Sequence, residues 1–175
     1  VSAILIKHPV VDGVLDSFGD ALGADAGRYR NHVYRALNYQ RKLLGLSAVP
    51  DAIALAWAVH DIGVWTTSWD YIAPSAAQVD VLAPRYGIND VARVRLMVEL
   101  HHKVRPYRQD DWVETFRVAD RIDVSLGLLP GMLTRVEIRE VVEAFPYDGF
   151  HNLLVRTAAA WTAKHPLRPM PMMRW

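Results

Sequence analysis

Apolar residues recur along this chain three or four positions apart, and Gly, Pro and Asp fall between the segments they define, so the pattern predicts helices separated by short turns. From about Val10 to Leu22, the residues Val10, Val11, Val14, Leu15, Phe18 and Leu22 make one face, with Gly23 as its stop. From about Gly27 to Leu44, Tyr29, Val33, Ala36, Leu37 and Leu44 turn inward before Gly45. A third segment follows Pro50, takes Asp51 as its cap and runs from Ala52 to about Ile62 before Gly63. It is apolar nearly all round, as a central helix should be. Ser75 is the expected cap of a helix toward Tyr86 that Pro84 ends early, and Asn89 or Asp90 opens one carrying Val91, Val94, Met97, Val98 and His101. Asp110 or Asp111 starts another to about Leu126. Thr134 and Glu137 have capping-box spacing for a helix to about Ala144, and a last helix spans about Phe150 to Ala163. Alternation at the period of a strand is scarce. The expectation is an all-α, single-domain bundle of about seven or eight helices, with no repeat or linker.

Composition narrows the chemistry. At 175 residues the chain can bury roughly 70% of the surface its unfolded form exposes. It has no cysteine, so disulfides, thiolate metal sites and cysteine nucleophiles are excluded, and any metal must be held by nitrogen and oxygen. Lys and Arg number 20 against 19 Asp and Glu, and so balanced a charge gives no reason to expect a nucleic acid polymer or a membrane surface as partner. The apolar opening from Val1 to Ile6 is too short for a membrane span and lacks the features of a secretory signal, so a soluble cytoplasmic protein is expected. The ending from Arg168 to Trp175 is apolar and broken by Pro169 and Pro171; it is expected to pack on its own domain or to join a second subunit in a homo-oligomer.

Against this background, ionisable residues sit on faces that should be core. His60 and Asp61 end the most hydrophobic helix, where a buried carboxylate is costly unless paired, neutralised or bound to a cation. Asp120 shares the buried stripe of Val113 and Phe116; His101 shares that of Val94, Met97 and Val98, with His102 beside it; His32 lies one turn after Tyr29 and one before Ala36. Singly each has an ordinary explanation: a capped helix end for Asp61, an ion pair of Asp120 with Arg117 or Arg121, a histidine pair at a helix C-terminus, a boundary histidine. Together, four helices each present a nitrogen or oxygen donor from an inward face. Such a set without sulfur suits Mn, Fe, Co, Ni or Zn, or Mg where fewer nitrogens take part.

The ordered set His32, then His60 to Gly63 (HDIG), then Asp120 within Val118 to Asp123 (VADRID) resembles the HD-domain superfamily, whose defining pattern is H, HD and D on a helical bundle. The stretch Tyr29 to Arg35 (YRNHVYR) looks like another of its local signatures, and the resemblance covers about Tyr29 to Ser125. It implies that His32, His60, Asp61 and Asp120 are metal ligands and that the chemistry is hydrolysis of a phosphoester or phosphoanhydride in a small substrate such as a nucleotide. Asp61 or Asp123 would then orient or deprotonate the attacking water, and Lys103, Arg105 and Arg121 would neutralise phosphate charge. Family members with two metals add histidines between the HD pair and the last Asp; here none occurs from Ile62 to Leu100, so one metal is expected, with His101 or His102 near the substrate or at a weaker second ion.

The aromatic loop Trp65 to Tyr71 follows the expected ligands directly and should shape access to them. Trp57 is expected in the core, and one of Trp65 and Trp69 in the wall of a small-molecule pocket. Other readings are a lyase, hydratase or di-iron oxygenase at the same site, or a module that binds a ligand or partner without catalysis.

Overall fold

Each segment of helical period folds as a helix in the structure, a computed structural model that describes residues 3–173. Val1, Ser2, Arg174 and Trp175, the extremes of the apolar opening and of the tail, lie outside the described residues. Pro9–Ser17 (α1) leads through the single turn Gly19–Leu22 (α2) and a 3-10 turn, Gly23–Asp25, to the long helix Ala26–Leu43 (α3). Asp51–Val59 (α4), the one-turn Gly63–Thr66 (α5) and Ile72–Leu82 (α6) follow, the last running into a 3-10 turn at Ala83–Tyr86. Val91–Leu100 (α7), Asp111–Val124 (α8), Arg135–Ala144 (α9) and Phe150–Lys164 (α10) complete the bundle. Eight of these are longer than two turns, and there is no strand among the described residues.

The caps explain most boundaries. Asp90 accepts the N–H of Arg93, Asp110 accepts those of Trp112 and Val113, and Thr134 with Glu137 forms the reciprocal capping box. Two expected caps are corrected. Asp51 makes no capping bond; Pro50 holds that position with its fixed φ, and Asp51 is the first helical residue, where its charge meets the positive end of the helix. Ser75 lies inside α6, and its hydroxyl accepts the N–H of Gly63 at 2.9 Å, so it joins two elements instead of starting one. The first predicted helix breaks at Phe18, where φ and ψ leave the helical region. The third ends at Val59, three residues early, because Ile62 N–H turns back to the Val59 carbonyl in a tightened turn.

α4 is the axis of the fold. It packs against α1, α3, α6 and α7, while α8 lies along α3 and touches α7. Its residues from Ile53 to Val59 are all buried. Trp57 stacks on Phe116 with ring centroids 3.7 Å apart, and its indole N–H donates to Gln40 Oε1 at 2.6 Å, so this ring is core, as expected. Burying α4 on all sides brings its C-terminal end, with His60 and Asp61, to the middle of the bundle between α3, α7 and α8.

Candidate metal centre

Four elements deliver seven ionisable side chains to one buried place: His32 from α3, His60 and Asp61 from the turn after α4, His101 and His102 from the turn after α7, and Asp120 and Asp123 from α8. All but the half-buried His102 are buried. His60 and His101 repeat one device. Each caps the end of its helix, and each uses Nδ1–H to bond a carbonyl three residues back, that of Trp57 at 2.8 Å and that of Val98 at 2.6 Å. His32 Nδ1 is 2.7 Å from Asp123 Oδ2. With Nδ1 of all three rings so committed, their Nε2 lone pairs face inward.

Those atoms converge closely. His32 Nε2 is 3.0 Å from His60 Nε2, an arrangement in which two lone pairs repel unless a proton or a cation lies between them. Asp61 Oδ2 is 3.2 Å from His60 Nε2 and 3.6 Å from His32 Nε2; Asp120 Oδ1 is 3.9 and 3.7 Å from the same two atoms. Ligands held about 2.1 Å from one divalent cation lie about 3.0 Å apart at a right angle and up to about 4.2 Å apart at the widest, so these separations are those of a shared coordination shell. His32, His60 and Asp61 form one group that can hold a metal ion, and Asp61, His101 and His102 form a second. Asp61 Oδ1 and His101 Nε2, 3.3 Å apart, are buried without a hydrogen-bond partner among the described residues, which a shared cation would supply. The donors fit a borderline divalent ion.

Charges at the centre are set by burial against neighbours. Burial pushes the Asp61 carboxyl up, but the His60 and His101 rings more than offset this and hold it well below the ordinary carboxylate range. Asp120 is raised by burial, with His101 opposing. Burial, then the charge of His101, drives His102 well below the usual histidine value, so it is neutral at pH 7. Tyr71 is raised well above its ordinary value by burial and by Asp61; its hydroxyl keeps its proton and lies 2.6 Å from His102 Nε2.

The chain matches no protein-family model, no curated protein and no solved structure.

The expected site residues divide into those at the centre and those away from it. His32, His60, Asp61 and Asp120 meet, and His101 and His102 complete the ring from the α7 side. Asp123 is close but turned away: Arg35 donates to both its oxygens (Nε to Oδ1 at 2.6 Å, Nη2 to Oδ2 at 2.9 Å) and His32 takes Oδ2 as well. Both its oxygens are engaged and it is wholly buried, so in this structure it holds His32 in place and does not face the centre as the expected base would. Lys103 and Arg121 line a recess of about 320 Å³ that also reaches His101, His102 and Asp120. Arg105 is exposed and lines none of the cavities described here. Trp69 lines a second pocket beside Asp61, whereas Trp65 packs on Tyr29 at 4.7 Å and donates to Asp25 at 3.0 Å, outside it.

Two arginines escaped the sequence reading as site residues. Arg35 lies three residues after His32 on a buried stripe and is wholly buried; Arg117 lies three before Asp120, pairs with Glu114 at 2.7 Å rather than with Asp120, and lines the basic recess. The signal in both cases was an arginine on the same helical face as an expected ligand. The tail to Met173 folds onto its own domain: Met172 is buried against Trp69, Tyr71 and Ile72, and Arg168 pairs with Asp70 at 3.1 Å. No helix is long and apolar enough to cross a membrane among the described residues.

Proposed function

We propose that this domain is a divergent HD-type, metal-dependent hydrolase that acts on a small phosphorylated substrate. The observation that carries the reading is the convergence of three imidazole Nε2 atoms, each with its Nδ1 already committed, on the ionised and incompletely bonded Asp61. When bound, a divalent cation in this ring supplies Lewis-acid polarisation of a phosphoryl oxygen and acidification of water. The chain supplies the rest. Asp123 and Arg35 hold the His32 ring in place, and the Trp57 and Val98 carbonyls do the same for His60 and His101, so the donors need little reorganisation. Asp61 Oδ1, without a hydrogen bond among the described residues, is placed to orient an attacking water beside the cation rather than to deprotonate it, since its carboxyl is held well below the ordinary range. His102, neutral and with its Nε2 held 2.6 Å from the Tyr71 hydroxyl, is placed to orient the leaving group as an uncharged hydrogen-bonding group rather than as an acid. Lys103 and Arg121 face the recess in which a phosphate would sit.

One observation favours a second reading: His101 and His102 form their own group with Asp61, so two ions sharing that carboxylate would fit, and two irons would suit oxygenase chemistry. Elemental mass spectrometry of the purified, untagged protein separates these readings. About one divalent metal per chain, absent from Asp61→Ala together with phosphatase activity, is the expected result. Two irons with oxygen uptake would favour the second reading, and phosphatase activity surviving in metal-free Asp61→Ala would sink the first.

A further inference from the structure

The centre opens on two cavities, both lined largely by apolar groups but only one carrying cationic side chains, which meet at His102 and Val124. The recess carries Lys103, Arg117 and Arg121 beside His101 and Asp120. The other, about 210 Å³, is walled by Trp69, Tyr71, Leu154, Ala158, Met170 and Met172, and its only ionisable lining groups are Asp61, His102 and the Tyr71 hydroxyl at the metal side. Its far wall comes from α10 and from the tail, whose Met172 is 1% exposed. A cavity of about 150 Å³ already admits benzene, so this one has room for an aromatic ring or a short alkyl chain. A nucleobase fits it poorly, because its several edge donors and acceptors would be buried against methionine, leucine and alanine. The indole N–H of Trp69 is the exception: it is buried without a partner among the described residues, and one acceptor on a ligand would satisfy it. Of the pocket's lining residues, Val124, Val155 and Met170 are apolar and exposed, and Leu129 and Met173 continue an apolar surface into the recess.

We infer that the substrate is an amphiphilic phosphoester, its phosphate in the basic recess and its apolar organic group between α10, the tail and Trp69, with the ester oxygen passing His102. This rests on the phosphohydrolase reading above and adds to it the class of alcohol released. In the reaction, water adds to phosphorus, the bond from phosphorus to the organic oxygen breaks, and the proton that water loses is balanced by the one that oxygen takes up, so the products are inorganic phosphate and an alcohol of low polarity.

The test is calorimetric binding of methylphosphonate, hexylphosphonate, hexanol and adenosine monophosphate to the full chain loaded with Mn(II). Each methylene buried in the pocket tightens binding about fourfold, so hexylphosphonate should bind on the order of a hundredfold more tightly than methylphosphonate when three or four of its carbons are enclosed. Ala158→Trp, which fills the pocket from α10, should erase the difference between the two phosphonates; a butyl to octyl series on the unaltered protein gives the same information without a variant. Equal binding of the two phosphonates, or tighter binding of adenosine monophosphate than of hexylphosphonate, overturns the inference while leaving the hydrolase reading intact. Binding of hexanol with neither phosphonate would overturn the hydrolase reading as well.

Discussion

Adding one methyl group at Gly63 should damage this protein more than most surface changes could. Gly63 follows the turn that carries His60 and Asp61, and a Cβ there would lie 2.6 Å from the Tyr71 carbonyl oxygen, 2.8 Å from Tyr71 Cβ and 3.0 Å from Ser75 Oγ. Favourable carbon contacts lie at about 3.5–4.0 Å, so the turn and the start of α6 must separate by about 1 Å. Two of the three obstructing atoms belong to backbone or to a Cβ and cannot swing aside. Separation also strains the bond from Gly63 N–H to Ser75. Overpacking of this kind costs about 1–3 kcal/mol and loss of the hydrogen bond about 1 kcal/mol, against about 0.4–1 kcal/mol gained because alanine has less freedom in the unfolded chain. The net expectation for Gly63→Ala is a loss of about 1–3 kcal/mol, which lowers a urea midpoint by about 1 M. Gly27→Ala is the matched control: it is exposed in the first turn of α3 with nothing within 4 Å of its Cβ, and should gain up to about 1 kcal/mol. Urea titrations followed by tryptophan fluorescence measure both. A Gly63→Ala midpoint at or above that of the unaltered protein would refute the close-approach argument.

Two further outcomes follow from buried and capping charges. Arg35→Met leaves the Asp123 carboxylate buried with only His32, which should cost about 3–5 kcal/mol by urea denaturation; adding Asp123→Leu should recover part of that loss, and no recovery would show that Arg35 matters for its packing alone. At Asp110 burial acts to raise the carboxyl, but Arg93 and the Trp112 and Val113 amides outweigh it and depress the pKa below its ordinary value. Its contribution is therefore complete above about pH 4 and is lost as pH falls through the folded value. Asp110→Asn keeps a capping oxygen without the charge, so its Tm should trail the unaltered protein at pH 7, and the gap should narrow as pH falls below about 4. A constant gap over that range would mean that the charge plays no part.

Much of this was legible in the chain. Helical spacing located the eight long helices because their apolar residues fall on one face. The exceptions are places where two elements compete for the same atoms: Ser75 looks like a cap but is claimed by Gly63, and the predicted third helix loses its last three residues to a tightened turn. The convergence of His32, His60, Asp61 and Asp120 was foreshadowed because an ionisable residue on an apolar stripe has few ordinary reasons to be there. The supporting shell was not. Arg35 meets Asp123 across 88 positions of sequence, and spacing within one helix says nothing about the facing helix. The apolar pocket was hidden for the same reason: its walls come from Trp69, α10 and the tail, which only the packed structure brings together.

The repeated device at His60 and His101 explains why the centre sits where it does. Two consecutive residues on a regular helix point about 100° apart and cannot serve one ion, but the turn after a helix end relaxes that constraint, and both the HD and the HH pairs lie in such turns. Each helix end also carries partial negative charge on its last carbonyls, and the Nδ1–H of each ring covers one of them. The ends of α4 and α7 therefore add to Asp61 and Asp120 in favouring a cation, and for the same reason they repel a phosphate. An anionic substrate would need compensation from another element, and Lys103, beyond the end of α7, and Arg121 on α8 line the recess beside Arg117, whose charge is already paired with Glu114. Cation preference at the helix ends and anion preference beside them come from one arrangement of helices, so a substitution that shifts the end of α7 should change affinity for metal and for phosphate together.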